Sequence, residues 1–457
     1  MAEDLFQKVI GAPADALDKT VDSSKAFVDS IASHAHMLKA KQYWKTLGPG
    51  LTTGASDDDP SGIATYSQTG AQYGNQLLWL SGFTFPLMAV VQEMCARIGL
   101  VTGRGLAGNI RIFFPKWVLY LCTLLLVAAN IFNIGADLGA MAKAIQLLLP
   151  KLDFGALVLG LALVSLAFQI FTTYDKYAKY LKWLALILIS YIFSALSIRD
   201  INWTEVLRSA VIPTVQFSKD QAILICAILG TTISPYLFFW QTSQEVEEEI
   251  LGGRTTIKLR REETSDSEIK NMRIDVWSGM FLSNLVMFFI IAACAATLFV
   301  HGKTNITTAA DAAAALKPIA GEKAYLLFAL GIIGTGMLAI PVLAGAASYA
   351  LSESLGWKFG LYRKLKEANA FYGVIILATL IGVGLNFVGI DPIKALLYSA
   401  VGNGLVAPVI LLMIVLLSSN KKVMGDRTNH PVTSILGWII TGAMVIAGGT
   451  VIISLFI

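Results

Sequence analysis

Apolar windows of about 20 residues alternate with short charged breaks along most of the chain. This spacing predicts membrane-crossing helices at 47–69, 77–100, 116–142, 154–173, 180–198, 220–246, 274–300, 324–350, 369–388, 393–417 and 433–456. The first 45 residues are polar, with Leu17, Val21, Val28, Ile31 and Leu38 at helical spacing. They predict an amphipathic helix on the membrane surface and contain no signal-peptide pattern. The expected architecture is an all-α polytopic membrane protein with about 11 spans. Residues 1–45 form a cytoplasmic segment and residues 46–457 the transmembrane domain.

Two spans are interrupted at mid-depth. The first reads Gly54-Ala55-Ser56-Asp57-Asp58-Asp59-Pro60-Ser61-Gly62, and the sixth Gly230-Thr231-Thr232-Ile233-Ser234-Pro235-Tyr236. Proline removes a backbone donor and breaks the helical ladder. Unwound backbone at this depth survives only where protein or water covers it. The breaks lie five spans apart, at corresponding places in spans 1–5 and 6–10. Because five is odd, the halves have opposite topology. This predicts an inverted 5+5 repeat of the LeuT-like type, with a substrate site at the midplane. Repeat one covers about 46–200 and repeat two about 218–417, with an extra helix at about 433–456. A lone proline in a span, as at Pro86 or Pro341, reads as a kink.

Composition agrees with a membrane protein. Hydrophobic residues make up 55% of the chain and charged residues 14%, and mean hydropathy is +0.65. A soluble protein carries about 25% charged residues. The net charge of +4 is small and lies between the spans, which argues against a nucleic-acid partner. The segments on the N-terminal side carry 26 Lys and Arg against 9 on the other. That places the N-terminus in the cytoplasm and, with an odd span count, the C-terminus outside a plasma membrane. Cys95, Cys122, Cys226 and Cys294 fall in apolar spans without a CxxC pair, so they read as packing residues. His34, His36, His301 and His430 lie outside the spans.

Three consecutive aspartates in an apolar span are costly, at about 2.5–3.5 kcal/mol per residue at the bilayer centre. Span one contains no Lys or Arg, so a bound metal ion is the simplest partner for Asp59. Asp57 and Asp58 are expected to line the ion's approach.

The run from Glu93 to Ala107, with Gly99, Gly103 and Gly105, resembles the end of the second helix of NRAMP divalent-metal transporters, and Gly70-Ala71-Gln72-Tyr73-Gly74 the end of the first. On that resemblance the family's Asp-Pro-Gly-Asn motif falls on Asp59-Pro60-Ser61-Gly62. Its Ala-x-x-Met-Pro-His motif falls on Thr231, Thr232, Ile233, Ser234, Pro235 and Tyr236. The resemblance implies passage of a divalent ion with no cofactor, no enzymatic activity and no obligate protein partner. The candidate metal site is Asp59, Ser61, Gly62, Thr231 and Ser234, with Asn403 in span ten as a further oxygen donor or, equally, a helix-packing amide. The family's asparagine is replaced by Gly62 and its methionine thioether by Ser234. Hard oxygen donors suit Mg²⁺, with Mn²⁺ also carried. The two helix-three acids on the family's proton route fall on Asn130 and Asn133, its histidine falls on Tyr236, and the ninth span lacks an Arg. Together these match the NRAMP-related magnesium branch and imply passive transport. Asp137, one turn beyond Asn133, is the alternative acid. A proton-coupled Mn²⁺/Fe²⁺ carrier is the main rival reading. An organic-substrate carrier of the same fold fits less well, because three acids repel a substrate carboxylate. An intramembrane aspartyl protease fits least: Tyr174-Asp175 sits at a helix end, and Gly135-Ala136-Asp137 lacks the second glycine of that motif.

Overall fold

The computed structural model describes residues 41, 43–172, 174–198, 201–216, 218–304, 309–389 and 392–454, without the side chains of 174–175, 309–325 and 392–393. The amphipathic helix expected within 1–45 lies outside the described residues.

Every described element is helical. The first predicted span is two helices, α1 (Pro49–Asp57) and α2 (Pro60–Tyr73), separated at Asp58-Asp59. Then come α3 (Trp79–Thr102), α4 (Leu106–Phe113), α5 (Lys116–Leu148) and α6 (Phe154–Phe171). Next are α7 (Tyr174–Leu184), a 3₁₀ turn at Ala185–Leu188, α8 (Ile189–Leu196) and α9 (Trp203–Val211). The sixth predicted span is α10 (Lys219–Thr232) and α11 (Pro235–Leu251), separated at Ile233-Ser234. The short α12 (Ile257–Glu263) precedes α13 (Asp266–Cys294), which runs on through a π turn to Phe299. The chain ends in α14 (Ala309–Leu355), α15 (Asn369–Leu385), α16 (Pro392–Ser419), α17 (Lys421–Met424) and α18 (Pro431–Ser454).

Nine stretches among the described residues are long and apolar enough to cross a membrane. The expected count of eleven also includes the broken first span and the 17-residue α15, which is shorter. The basic segment 174–182, which covers the gap left between the predicted spans 154–173 and 180–198, is helical and joins the span Lys176–Leu196. Its lysines do not prevent this, because a long stem carries the charge outward. The Lys182 ammonium donates to the Trp44 and Leu47 carbonyls and lies 4.6 Å from the centre of the Trp44 ring.

Each broken helix leans on an unbroken one. α1 lies on α13 with the backbones touching: a Cβ on Gly54 would sit 2.3 Å from the Gly279 carbonyl, and one on Gly279 would sit 2.1 Å from the Gly50 carbonyl. Small residues four apart allow this approach in a membrane. Past the break, Gly70 of α2 meets the Ile291 carbonyl of α13 in the same way. The entry to α1 is fixed by Asp275 of α13, whose carboxylate accepts from the Gly48, Gly50 and Leu51 amides at 2.8, 2.7 and 3.0 Å. These are orphan donors of a helix start, satisfied from a neighbouring helix. On the other side, a Cβ on Gly230 of α10 would lie 2.1 Å from the Ala400 carbonyl of α16. α5 packs against α14, α15 and α16 and closes the centre.

Gly279→Val should therefore destabilise the protein by about 1–3 kcal/mol through overpacking. A lowered melting temperature in detergent is the expected result; an unchanged one would show that α1 and α13 can separate at no loss.

Candidate functional site

Both breaks have the same local cause. Pro60 and Pro235 occupy the first helical position of α2 and α11, where the missing N–H does no harm but the preceding helix cannot continue. The residues before them act differently. Asp59 caps forward: its Oδ1 accepts from the Gly62 amide at 2.8 Å and the Ser61 hydroxyl at 2.6 Å. Ser234 closes backward, its hydroxyl donating to the Gly230 and Thr231 carbonyls at 2.9 and 2.7 Å.

The two breaks meet. The Tyr236 hydroxyl donates to the Ser56 carbonyl at 2.7 Å, tying the start of α11 to the last turn of α1. A Cβ on Gly62 would lie 3.0 Å from Thr231 Oγ1 and 3.2 Å from the Asp57 carbonyl. Glycine at 62 is thus what lets the start of α2 reach the end of α10. α5 supplies the third wall. Asn133 donates to Asp59 Oδ2 at 2.7 Å and accepts from the Ser399 hydroxyl of α16. Asn130 donates to the Leu343 carbonyl of α14 at 2.8 Å. One turn beyond Asn133, Asp137 lies fully buried on the same face of α5.

The chamber is closed to solvent. Asp57, Asp58 and Asp137 are 0% exposed, and Asp59 and Asn403 are 1% exposed. Asp57 and Asp58, expected along the approach, are buried inside the closed arrangement. Asp57 Oδ2 accepts from the Ser283 hydroxyl of α13 at 2.9 Å. Asp57 Oδ1, both oxygens of Asp58 and of Asp137, Thr231 Oγ1 and both amide atoms of Asn403 have no hydrogen-bond partner among the described residues. Among the described residues, none of the four carboxylates forms an ion pair. Among the described residues, no three His, Cys, Asp or Glu converge on one ion-sized point. Carbonyls, hydroxyls and amides must therefore complete any coordination sphere, as hard cations accept.

The structure brings Asp59, Ser61, Gly62, Thr231, Ser234 and Tyr236 together at the joined breaks and adds Asn133 as a direct partner of Asp59. Ser283 and Ser399 were not visible in the sequence, being single hydroxyls in apolar helices far along the chain. Met141 was also missed. A Cβ on Gly336 would lie 2.3 Å from Met141 Sδ and 3.2 Å from Pro60 Cγ, so this buried thioether shares a glycine face with the break. Its i+4 spacing from Asp137, itself i+4 from Asn133, was the available signal.

A family model described as "Natural resistance-associated macrophage protein-like" matches residues 50–454. The "Divalent metal cation transporter MntH" of Deinococcus radiodurans is 27% identical over 414 residues, 88% of this chain and 88% of that one. The protein of the same name from Klebsiella pneumoniae (strain 342) is 25% identical over 417 residues, 89% and 93% of the two chains. Of solved structures, the Eremococcus coleocola manganese transporter with a bound aromatic bis-isothiourea compound superposes with a TM-score of 0.68 at 18% identity, over 91% of this chain and 87% of that one. Mhp1, a nucleobase-cation-symport-1 family transporter in a closed conformation, gives 0.55 at 14%, over 89% and 91%. These two likenesses establish the LeuT-like fold.

Asn133→Ala removes the amide that Asp59 and Ser399 share. A loss of about 1–3 kcal/mol is expected from the unpaired groups. Denaturation of the purified protein measures it, and a neutral result would mean that Asp59 is held without α5.

Proposed function

The chain belongs to the Nramp family, and from that membership we propose that it moves divalent metal cations across a membrane at the meeting point of its two helix breaks. One observation carries the reading: Asp57, Asp58, Asp59 and Asp137 are buried around the breaks and, among the described residues, form no ion pair. Carboxylates at such depth call for a positive partner, and a divalent ion supplies two charges at once. Asp59 is the central ligand. The Ser61 and Ser234 hydroxyl oxygens, Thr231 Oγ1 and the carbonyls near Gly62 lie with it at the joined breaks, Asn403 of α16 is a further candidate donor, and small side chains leave room for retained waters.

The transport domain runs over 46–457, with repeat one at about 46–200, repeat two at about 218–417 and an extra helix at about 433–456. The excess of Lys and Arg supports a cytoplasmic N-terminus, an extracellular C-terminus and a plasma-membrane location. The lipid bilayer is the one macroscopic partner this reading needs.

Mn²⁺ is the cargo best supported by the relatives, since a neighbour in fold is named a manganese transporter. Mg²⁺ as a second cargo rests on this chain alone, on Ser234 standing where a thioether is expected. Met141 qualifies that argument, because it keeps a thioether beside Pro60. Coupling divides the same way. The relatives named MntH favour the proton-coupled reading. Passive transport is supported by Asn130 and Asn133, which cannot titrate, and by the absence of Lys and Arg from α15.

Two measurements test these readings. Asp59→Ala should abolish Mn²⁺ uptake into liposomes while the protein stays monodisperse; near-normal uptake would move the site to another aspartate. In the wild type, Mg²⁺ in excess should slow Mn²⁺ uptake through one saturable route with no signal from a pH dye in the lumen. If Mg²⁺ has no effect and the lumen acidifies, the carrier is proton-coupled and selective for Mn²⁺.

A further inference from the structure

We propose that Asp137 of α5 is a second carboxylate ligand of the transported ion, completing a two-carboxylate site with Asp59. The proposal rests on the divalent-cation reading above and deepens it.

The argument starts from the lone pairs of Asp59. An ionised carboxylate offers about four acceptor positions. Three are committed, to the Ser61 hydroxyl, the Gly62 amide and the Asn133 amide. Asp59 is therefore fixed in place by the protein and has little left to give an ion that wants six oxygens. Asp137 is the opposite case. It is fully buried, and neither oxygen has a hydrogen-bond partner among the described residues.

Other buried carboxylates show how this chain treats a structural acid. Asp275 takes three backbone amides. Glu247 takes the Tyr349 hydroxyl and the Leu361 and Tyr362 amides. Glu93 takes Arg273 and the Trp277 indole. Only Asp58 and Asp137, of the buried carboxylates described, lack a partner on both oxygens. Asp58 shares the break with Asp59, so it moves with it. Asp137 comes from a different helix.

Register puts Asp137 in reach. Asn133 and Asp137 are one turn apart on the same face of α5. Asn133 touches Asp59 directly, and Asp137 follows it, fully buried, along that face. An ion between Asp59 and Asp137 would bridge the first half of the protein's broken helix to an unbroken one. Two carboxylates plus neutral oxygens and waters is the usual set for a small hard divalent ion.

The test uses the full chain in detergent, with Mn²⁺ alone as the probe and loss of its free-ion EPR signal as the readout. Asp137→Asn preserves shape and removes the charge. Its affinity for Mn²⁺ should fall by roughly tenfold or more, an effect at least as large as removing a supporting residue of a metal site. Melting supplies a second readout. Without metal, Asp137→Asn should melt no lower than the wild type, because the carboxylate has no partner to lose. Added Mn²⁺ should then raise the wild-type melting temperature more than the variant's. Wild-type affinity in Asp137→Asn overturns the assignment. A wild type that binds no Mn²⁺ overturns the transport reading and this assignment together.

Discussion

The constraint on which the rest depends is the burial of four carboxyl groups that, among the described residues, form no ion pair. A protein can bury a carboxylate cheaply if backbone amides or a guanidinium meet it, and this chain does so at Asp275, Glu247 and Glu93. Around the breaks it withholds those partners from Asp58 and Asp137 and gives Asp59 only neutral donors. On the proposed function, the stability that a lysine or arginine would have supplied there is left for a mobile cation. A base in that position would compete with the cargo for the same oxygens.

The helix breaks are affordable because intact helices run beside them. Interrupting a helix exposes the last carbonyls of one half and the first amides of the next. Asp59 covers the amide side at the first break, and the Ser234 hydroxyl covers carbonyls at the second. Glycines at 50, 54 and 70 on one broken helix, and at 230 on the other, bring backbone against backbone of α13 and α16. Lipid is therefore kept from the unwound segments by protein at van der Waals distance, which is the condition for irregular backbone at membrane depth.

Much of this was legible in the sequence. The spans follow from long apolar runs, and the breaks from Asp-Pro and Ser-Pro set among glycines, because those signals are local. Three things were not. Asp275 reads as one more acid in a charged segment, yet it caps a helix 225 residues away in sequence at Gly50. Segment 174–182 reads as a loop by its lysines, but nothing in it breaks a helix and Lys182 finds carbonyls to hold. Ser399 and Ser283 are hydroxyls in apolar helices, where most such groups simply bond their own backbone. Their contacts to Asn133 and Asp57 exist only after the helices have packed.

Asn133 shows how a replacement can be misread as a loss. On the family resemblance it stands where an acid is expected, so its visible consequence is the absence of a titratable group. In the structure it does what an acid could not. It donates to Asp59 and accepts from Ser399 through opposite ends of one amide. An ionised carboxylate has no donor to offer Asp59, and an acid here would add a fifth buried carboxyl group to the four around the breaks. The amide instead spreads its hydrogen bonds over α2, α5 and α16, aligning Asp59 without neutralising it. The acid has not left α5, since Asp137 follows one turn later with both oxygens unused. On the proposed reading the helix carries a positioning group at 133 and a carboxylate ligand at 137, and the division of labour follows from what each side chain can donate and accept.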